Sequence, residues 1–474
     1  MKRKWIRGVF AVLMLAFCFV ISGCGACTAC AVGCGACYFL IHSDGIMDTG
    51  HLGYTLNEDG QSYSVYWTDF AYAPARREVV IPAEYRGLPV TKIADCGFYP
   101  VAFANGRSGI VKITLPDTIV EIGEEAFAQG EFEEIKLPDS IVKIGADAFR
   151  SSQLKTIDLP DKLESLGAGA FSFCDNLKEI EFPASLKVIQ DETLEGTAVE
   201  TVVIPEGVEE IQEEVFSYCD NLKELHLSST VKSFGNFGDD SSIERISVAE
   251  NNPYFKSIDG NVYSKDGTKF IQYAAGKTET TFELPSEVTM IQRKAFKYST
   301  LESIVFPENS RLTEVEASAF VGCRNLQMMV FPDTLQKISI SAISSLDWSG
   351  LAEYENFYYV STVSNKYFAP VGQIETVSES LTFHSQTKYV PANLAIKGAP
   401  TEILIPEGVT EIGANLIGYC PSLQRVTIPK TVAKIDKIAF YAGNVGCKFE
   451  VDPENEAYKS VDGVLYTKDG QKVL

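Results

Sequence analysis

The sequence contains little histidine and fewer basic than acidic residues. Its 474 residues include four histidines, none within an H-E-x-x-H pattern: His42, His51, His226 and His384. A histidine-based zinc site or catalytic triad is therefore disfavoured. The 41 basic residues against 63 acidic ones give a formal net charge of -22. A chain with that charge repels polyanions at long range, so neither nucleic acid nor anionic lipid is predicted as the main partner.

Cysteine is scarce beyond the start of the chain, which argues against a disulfide framework. Five of the twelve cysteines lie within fourteen residues: Cys24, Cys27, Cys30, Cys34 and Cys37. The first four match the C-x2-C-x2-C-x3-C spacing of bacterial iron-sulfur proteins. However, Gly35 stands where that motif has proline, and no second motif follows. The better interpretation is a Gly/Ala/Cys-rich tether, in which the roles of Cys27, Cys30, Cys34 and Cys37, such as further acylation or disulfides, stay open.

The first 23 residues have the layout of a secretory signal. Basic residues within 1–7 precede the apolar run 8–21, and small residues follow it. The ending Ile21-Ser22-Gly23-Cys24 resembles the bacterial lipobox. That resemblance implies cleavage before Cys24, acylation of its thiol and attachment to a membrane by lipid. An uncleaved membrane helix is the alternative, because the residues after Cys24 are apolar rather than polar.

The rest of the chain is a repeat of 22 or 23 residues. The period is marked by prolines that follow short apolar runs: Pro116, Pro138, Pro160, Pro183 and Pro205. A fixed period of this length predicts a solenoid. Alternation before each proline predicts a half-buried strand, with Ile157 facing inward and Asp158 outward. A phenylalanine in each unit, such as Phe171, is expected to stack with its counterparts on a helical or looped return segment.

Four later cysteines share one position in the return segment: Cys174, Cys219, Cys323 and Cys420. Their common register predicts small buried hydrophobic side chains rather than a metal or redox site.

The repeat pattern I-x-L-P-x-x-V-x-x-I-G-x-x-A-F resembles the BspA-like leucine-rich repeats of bacterial cell-surface proteins, over roughly residues 76–474. The implied fold is a mainly β repeat solenoid, a curved array of about fifteen short parallel strands with inserted β-hairpins. The residue patterns predict no catalytic residues, metal or cofactor. The resemblance implies a protein that binds other proteins at the cell surface, as in adhesion to host or neighbouring cells. An envelope scaffold or a glycan-binding accessory protein is the alternative function.

The domain boundaries follow from where the period begins and breaks. The expected segments are a signal peptide (1–23), a tether (24–51), an N-terminal capping hairpin (52–75), leucine-rich repeats (76–248, 285–339 and 379–451), a hairpin insertion (249–284), an aromatic insertion (340–378) and an incomplete C-terminal hairpin (452–474). The last hairpin repeats the pattern of 249–284 and has no following repeat, so an apolar edge is expected near Val451, Val464 and Leu465. This arrangement favours a truncated form of a longer protein, or an end that pairs with another chain.

The outward strand residues predict a binding face. They are charged in the first half of the array and largely apolar in the second half. The candidate binding residues are Glu134, Lys136, Asp158, Glu179, Glu181, Glu224 and His226. A protein partner is expected to contact this face of an exported protein that is lipid-anchored through Cys24 and faces outside.

Overall fold

The computed structural model describes residues 51–68, 77–99, 109–237, 242–377, 379–394, 396–417, 420, 422–440 and 446–471. The predicted signal peptide and the tether through residue 50, with Cys24, lie outside these residues. Among the described residues, no helix combines the length and apolar character needed to cross a membrane. The chain divides into two compact units, which are described separately. The first unit comprises the residues up to Leu186 together with Glu192–Thr197. The second comprises Lys187–Asp191 together with Ala198–Leu474.

The first unit is built from short strands. They are β1 (Leu52–Leu56), β2 (Tyr63–Trp67), β3 (Arg77–Val80), β4 (Glu84–Tyr85), β5 (Leu88–Ile93), β6 (Ile110–Thr114), β7 (Glu121–Ile122), β8 (Lys143–Ile144) and β9 (Ser165–Leu166). Strands β1 and β2 pair antiparallel across a turn that contains Asp59 and Gly60. Strands β5, β7, β8 and β9 then continue as a parallel ladder.

The second unit repeats the same plan over a longer stretch. Its first strands are β10 (Val188–Ile189), β11 (Thr201–Val203), β12 (Glu210–Ile211), β13 (Glu224–Leu227), β14 (Ser233–Phe234), β15 (Arg245–Val248), β16 (Phe255–Ile258), β17 (Asn261–Ser264), β18 (Lys269–Gln272), β19 (Thr281–Glu283), β20 (Met290–Ile291), β21 (Ser303–Val305), β22 (Glu314–Val315) and β23 (Lys337–Ile338). Helix α1 (Ile340–Ile343) and a single 3-10 turn (Trp348–Gly350) follow.

The remaining strands belong to the aromatic insertion and the last repeats. They are β24 (Ala352–Tyr354), β25 (Phe357–Val360), β26 (Ala369–Gln373), β27 (Ser380–Thr382), β28 (Tyr389–Val390), β29 (Glu402–Leu404), β30 (Glu411–Ile412), β31 (Arg425–Ile428), β32 (Lys434–Ile435), β33 (Lys448–Val451), β34 (Tyr458–Val461) and β35 (Val464–Thr467).

Each repeat contributes to two parallel ladders. The segment before the proline forms what we call the front ladder, which in the second unit comprises β11-β13-β15, β19-β21 and β27-β29-β31-β33. In the first unit it consists of β3-β6, and the strands predicted before Pro138, Pro160 and Pro183 are reduced to single parallel bridges, Thr114 with Lys136 and Asp158 with Glu181. The two-residue strand after the proline forms the second ladder, for example β10-β12-β14. Proline separates the two strands because it has no N–H to donate to a ladder. The described chain is therefore the mainly β solenoid that the repeat pattern predicted.

Apart from α1, the return segments consist of consecutive turns rather than helices. Phe127 N–H donates to the Ala148 oxygen of the next repeat at 2.8 Å, and Phe149 N–H donates likewise to Ala170. The turns place residues such as Glu125 (φ 50°) in the left-handed region. Hydrogen bonds between repeats thus replace the intrahelical bonds that a helix would form. Periodicity alone did not distinguish these two alternatives.

The predicted phenylalanine stack is confirmed in the first unit. The ring centroids of Phe127 and Phe149 lie 5.5 Å apart, and those of Phe149 and Phe171 lie 5.4 Å apart at an interplanar angle of 10°. All three side chains are fully buried. A single repeat could not remove these rings from water, so this stack stabilises neighbouring repeats cooperatively.

Each of the two similar hairpins begins at a buried asparagine. The Asn252 side-chain amide donates to the backbone oxygens of Ser228 and Val231, and its oxygen accepts from two N–H groups of the hairpin. Asn455 makes the equivalent four bonds at the second hairpin. There, Leu465 is fully buried, so the apolar edge expected at its side chain is not found.

Candidate functional site

The front ladder of the first unit presents charged side chains to solvent. Glu134, Lys136, Asp158, Glu179 and Glu181 are all exposed, while the residues that alternate with them are buried or, at Leu159, half-buried. Asp158 and Glu181 face each other directly in a parallel bridge between neighbouring repeats. Within the described residues, none of these five side chains forms an ion pair. The predicted residues of this unit therefore form one exposed surface with unneutralised charges.

The two remaining predicted residues lie on strand β13 in the second unit, where both are partly exposed. The Glu224 Oε2 atom lies 3.4 Å from His226 Nε2. His226 Nδ1 is hydrogen-bonded to Ser247 Oγ on the neighbouring strand β15 at 2.5 Å. Glu224 also lies beside Arg245 in the parallel register of these strands. Glu224, His226 and Ser247 thus form a polar row. The sequence predicted only the first two, because Ser247 comes from the next repeat.

Two backbone donors beside the serine of this row are already hydrogen-bonded within the protein. A hydrolytic site needs backbone or side-chain donors that stabilise an oxyanion. Beside Ser247, Ile246 N–H donates to Gly260 and Ala249 N–H donates to Leu227, so these donors are already used. Over the part of the chain that is described, no group of three His, Cys, Asp or Glu side chains could hold a metal ion.

The repeat cysteines are buried, as predicted. Cys174, Cys219, Cys323 and Cys420 are each at most 3% exposed. Cys174 Sγ donates to the Phe149 oxygen at 3.1 Å. Burial raises the pKa of the Cys174 thiol to about 11. A thiol with that pKa is not a reactive nucleophile near neutral pH.

Most aromatic side chains of the insertions pack within the protein. Phe357 and Tyr359 are fully buried. Tyr367 stacks on His384 with ring centroids 3.8 Å apart, and Tyr354 contacts the same imidazole edge-on at 4.6 Å. The Tyr367, Tyr354 and His384 rings therefore pack against each other. In the 249–284 insertion, Tyr254 remains 46% exposed.

Sequence reasoning missed a cleft of about 440 Å³ in the second unit. The second ladder is interrupted between β23 and β28, which belong to separate sheets. The antiparallel sheet of the aromatic insertion, β24-β25-β26, stands between them in sequence. We call this opening the insertion cleft. Its lining includes Asp333, Gln336, Lys337, Lys388 and Glu411. No local motif signals it, because the lining comes from separate repeats.

The sequence matches a family model described as BspA type leucine rich repeat region, over residues 98–223, 193–275, 269–394 and 359–446. No functionally curated protein matches it. The pneumococcal vaccine antigen PcpA is similar at 21% identity, over 87% of this chain and 94% of that one, with a TM-score of 0.46. A leucine rich cell surface protein from Faecalibacterium prausnitzii is 21% identical over 86% of this chain and 95% of its own, with a TM-score of 0.44. The family model covers well over half of the sequence, so the chain belongs to the BspA type leucine rich repeat family.

Proposed function

We propose that this protein is a cell-surface recognition protein that binds other proteins through the solvent-exposed side chains of its front ladder. The observation that carries the proposal is the exposed row of Glu134, Lys136, Asp158, Glu179 and Glu181, which form no ion pairs among the described residues. Such charges are free to pair with a partner. Complementary charges across an interface increase the association rate and exclude partners of the wrong charge pattern.

The excess of acidic side chains in this row indicates the charge of the partner's surface. Four of these five side chains are acidic, and Asp158 and Glu181 are adjacent. Like charges side by side destabilise each other, and a basic partner surface would remove that repulsion. We therefore expect a protein with exposed lysine or arginine side chains. Adhesion to a host or neighbouring-cell protein is the biological role that fits such binding.

The proposal includes export and lipid anchoring through Cys24. The net charge of -22 offers no attraction to an anionic membrane. A covalent lipid on Cys24 would supply the attachment instead, and buried acyl carbons favour membrane binding by about 0.8 kcal/mol each. The recognition face would then be held outside the cell.

A binding panel tests the function. The full chain is displayed on a bacterial surface and exposed to immobilised extracellular proteins and, separately, to a glycan array. Glu179→Lys combined with Glu181→Lys is expected to weaken protein binding at least 10-fold, because it reverses two charges that face the partner. The control is Glu133→Lys with Lys155→Glu, which exchanges the signs of an exposed pair 2.7 Å apart and leaves the net charge unchanged.

Two results would contradict the proposal. One is protein binding that the Glu179 and Glu181 reversals leave unchanged. The other is binding to glycans with no binding to any protein on the panel, which would support the glycan-binding alternative instead.

A further inference from the structure

A buried lysine and a buried asparagine meet within the second unit, on either side of the hairpin insertion 249–284. The Lys297 ammonium donates to the side-chain oxygen of Asn236 at 3.0 Å, and each residue is only 8% exposed. Lysine side chains normally keep their charged end in water. The contact therefore holds a nitrogen nucleophile against an amide group, away from most of the solvent.

The two partners of the Asn236 amide fix its orientation. Its nitrogen donates to the Oε2 atom of Glu213, and its oxygen accepts from Lys297. A carboxylate only accepts hydrogen bonds and an ammonium only donates them, so the reverse orientation would lose both bonds. Because a C=O bond measures about 1.23 Å and Lys297 Nζ lies 3.0 Å from the oxygen, Nζ can be no more than about 4.2 Å from Asn236 Cγ. The electrophilic carbon is thus close to the nucleophile.

A second carboxylate lies beside the lysine nitrogen. The Oε1 atom of Glu214 is 3.9 Å from Lys297 Nζ, farther away than the amide oxygen. Contacts that transfer protons are often long before the reaction and shorten during it. Glu214 is therefore placed to accept a proton from the Lys297 ammonium.

Glu213 is held in its charged form by its neighbours. Partial burial favours a higher pKa, but hydrogen bonds from Lys294 and Asn236, together with the nearby charge of Arg293, hold the pKa of Glu213 below its usual value. Lys294 Nζ lies 3.0 Å from Glu213 Oε2. The two lysines thus differ in their contacts, because Lys294 meets a carboxylate whereas Lys297 meets the amide oxygen.

We propose that Lys297 and Asn236 react to form an isopeptide bond, an amide that links the two side chains and releases ammonia. This inference goes beyond the proposed recognition function and does not depend on it. The bond would close a covalent loop around the hairpin insertion, between residues that are 61 positions apart. Such a cross-link restricts the unfolded chain.

The reaction balances with the groups present. The Lys297 ammonium gives a proton to Glu214, and the Nζ electron pair bonds to Asn236 Cγ while the C=O electron pair moves to Oδ1. A proton on the attached nitrogen passes to Nδ2 through Glu213, which already contacts Nδ2. The Cγ–Nδ2 bond then breaks as the C=O bond forms again. Ammonia leaves and takes the proton that Glu214 held, so the products are one secondary amide and one ammonium ion.

Mass spectrometry of the purified full chain, digested with trypsin after incubation at neutral pH, tests the proposal. Trypsin does not cut after an acylated lysine, so the digest should contain peptide 233–245 joined to peptide 295–311. The joined mass should be about 17 Da below the summed masses of the two peptides, because ammonia has left. Lys297→Arg keeps the positive charge without the amine and should abolish the joined peptide, whereas exposed Lys269→Arg is the control and should retain it.

A second pair of variants tests the proton transfer. Glu214→Gln should slow formation of the joined peptide by at least about 10-fold, because a positioned carboxylate no longer accepts the proton. Glu210→Gln is the matched control, since Glu210 is exposed on strand β12 and lies one turn earlier in the sequence. Equal rates for the two variants would refute the role of Glu214.

The wild-type digest decides the proposal without any variant having to fold. Separate peptides 233–245 and 295–297, with no joined product after prolonged incubation, would overturn it. A joined product through Lys294 would overturn the assignment to Lys297. Measurements of the non-covalent contact by unfolding apply to protein in which the joined peptide is absent.

Discussion

The ammonium nitrogen of Lys297 lies 3.0 Å from the side-chain oxygen of Asn236, although 61 residues separate them in sequence. Lys297 is only 8% exposed. A Glu214 carboxylate oxygen lies 3.9 Å from the same nitrogen, and Lys294 reaches Glu213 at 3.0 Å. A buried ammonium is stable only with such partners, because desolvation of an unpaired charge is costly. These contacts tie together repeats that the hairpin insertion separates in sequence.

Asn236→Ala should lower the free energy of unfolding by about 2 kcal/mol, since a buried charge loses a hydrogen-bond acceptor. Urea unfolding of the full chain provides the measurement. The control is Asn176→Ala, which removes an exposed amide bond of 3.2 Å to Gln153 and should change stability by less than about 0.5 kcal/mol. Equal effects of the two substitutions would show that the contact with Lys297 contributes nothing.

Gly196→Ala should destabilise the first unit more than Gly60→Ala does. Both glycines have a left-handed φ, 66° and 63°, so both substitutions incur roughly 1–2 kcal/mol of backbone strain. At Gly196 the new methyl would also lie 2.7 Å from Phe173 Cδ1, whereas at Gly60 it would meet no atom within 4 Å. Thermal unfolding midpoints compare the two variants.

The added loss at Gly196 comes from the ring of Phe173, so Phe173→Ala should recover part of it in a double-mutant cycle. A cycle in which the two effects simply add would exclude this ring contact as the cause.

Ionisation of the Asp147 carboxyl should lower the free energy of unfolding as the pH rises from about 4 to 7. Burial raises the pKa of this carboxyl from 3.8 to about 6, and the nearby Arg150 only partly opposes the change. Because the folded pKa exceeds the unfolded one, the folded state binds the proton more tightly. The stability that this proton provides is present below pH 4 and is lost as the pH rises through 6.

Asp147→Asn should therefore raise the free energy of unfolding by about 1–2 kcal/mol at pH 7 and by much less at pH 4. Urea unfolding at both pH values gives the comparison, with exposed Asp139→Asn as the control. A gain of equal size at the two pH values would mean that ionisation of Asp147 is not the cause.

Cys24→Ala should release the protein from the membrane into the medium or leave its signal segment uncleaved. The reason is that the lipobox resemblance makes this thiol the site of acylation. Fractionation, with mass spectrometry of the mature N-terminus, distinguishes the outcomes. Cys27→Ala is the control and should leave the protein anchored. An anchored Cys24→Ala protein with the same N-terminus as the wild type would show that an uncleaved helix holds it.

The local sequence pattern determined the repeat architecture, because each unit buries its apolar side chains against a neighbouring unit with the same pattern. The alternation around Ile157 correctly predicted which side chains face the core, and the phenylalanine at 171 predicted the core stack, although the predicted strand is only a single bridge at Asp158. The same register argument correctly placed Cys174 in the core. The spacing also identified which charges, such as Glu179 and Glu181, face solvent. These properties depend on neighbours one repeat away, and the period specifies those neighbours.

Only the tertiary structure decided the features that join different repeats or depend on an interruption of the period. The contact of Lys297 with Asn236 spans the hairpin insertion, and no sequence spacing indicates how that insertion arranges its flanks. The insertion cleft exists because strands β23 and β28 do not pair, which brings Gln336 and Lys388 to one opening. The left-handed turns at residues such as Glu125 likewise follow from bonds between repeats. Side-chain identity alone favours no such backbone conformation at a glutamate.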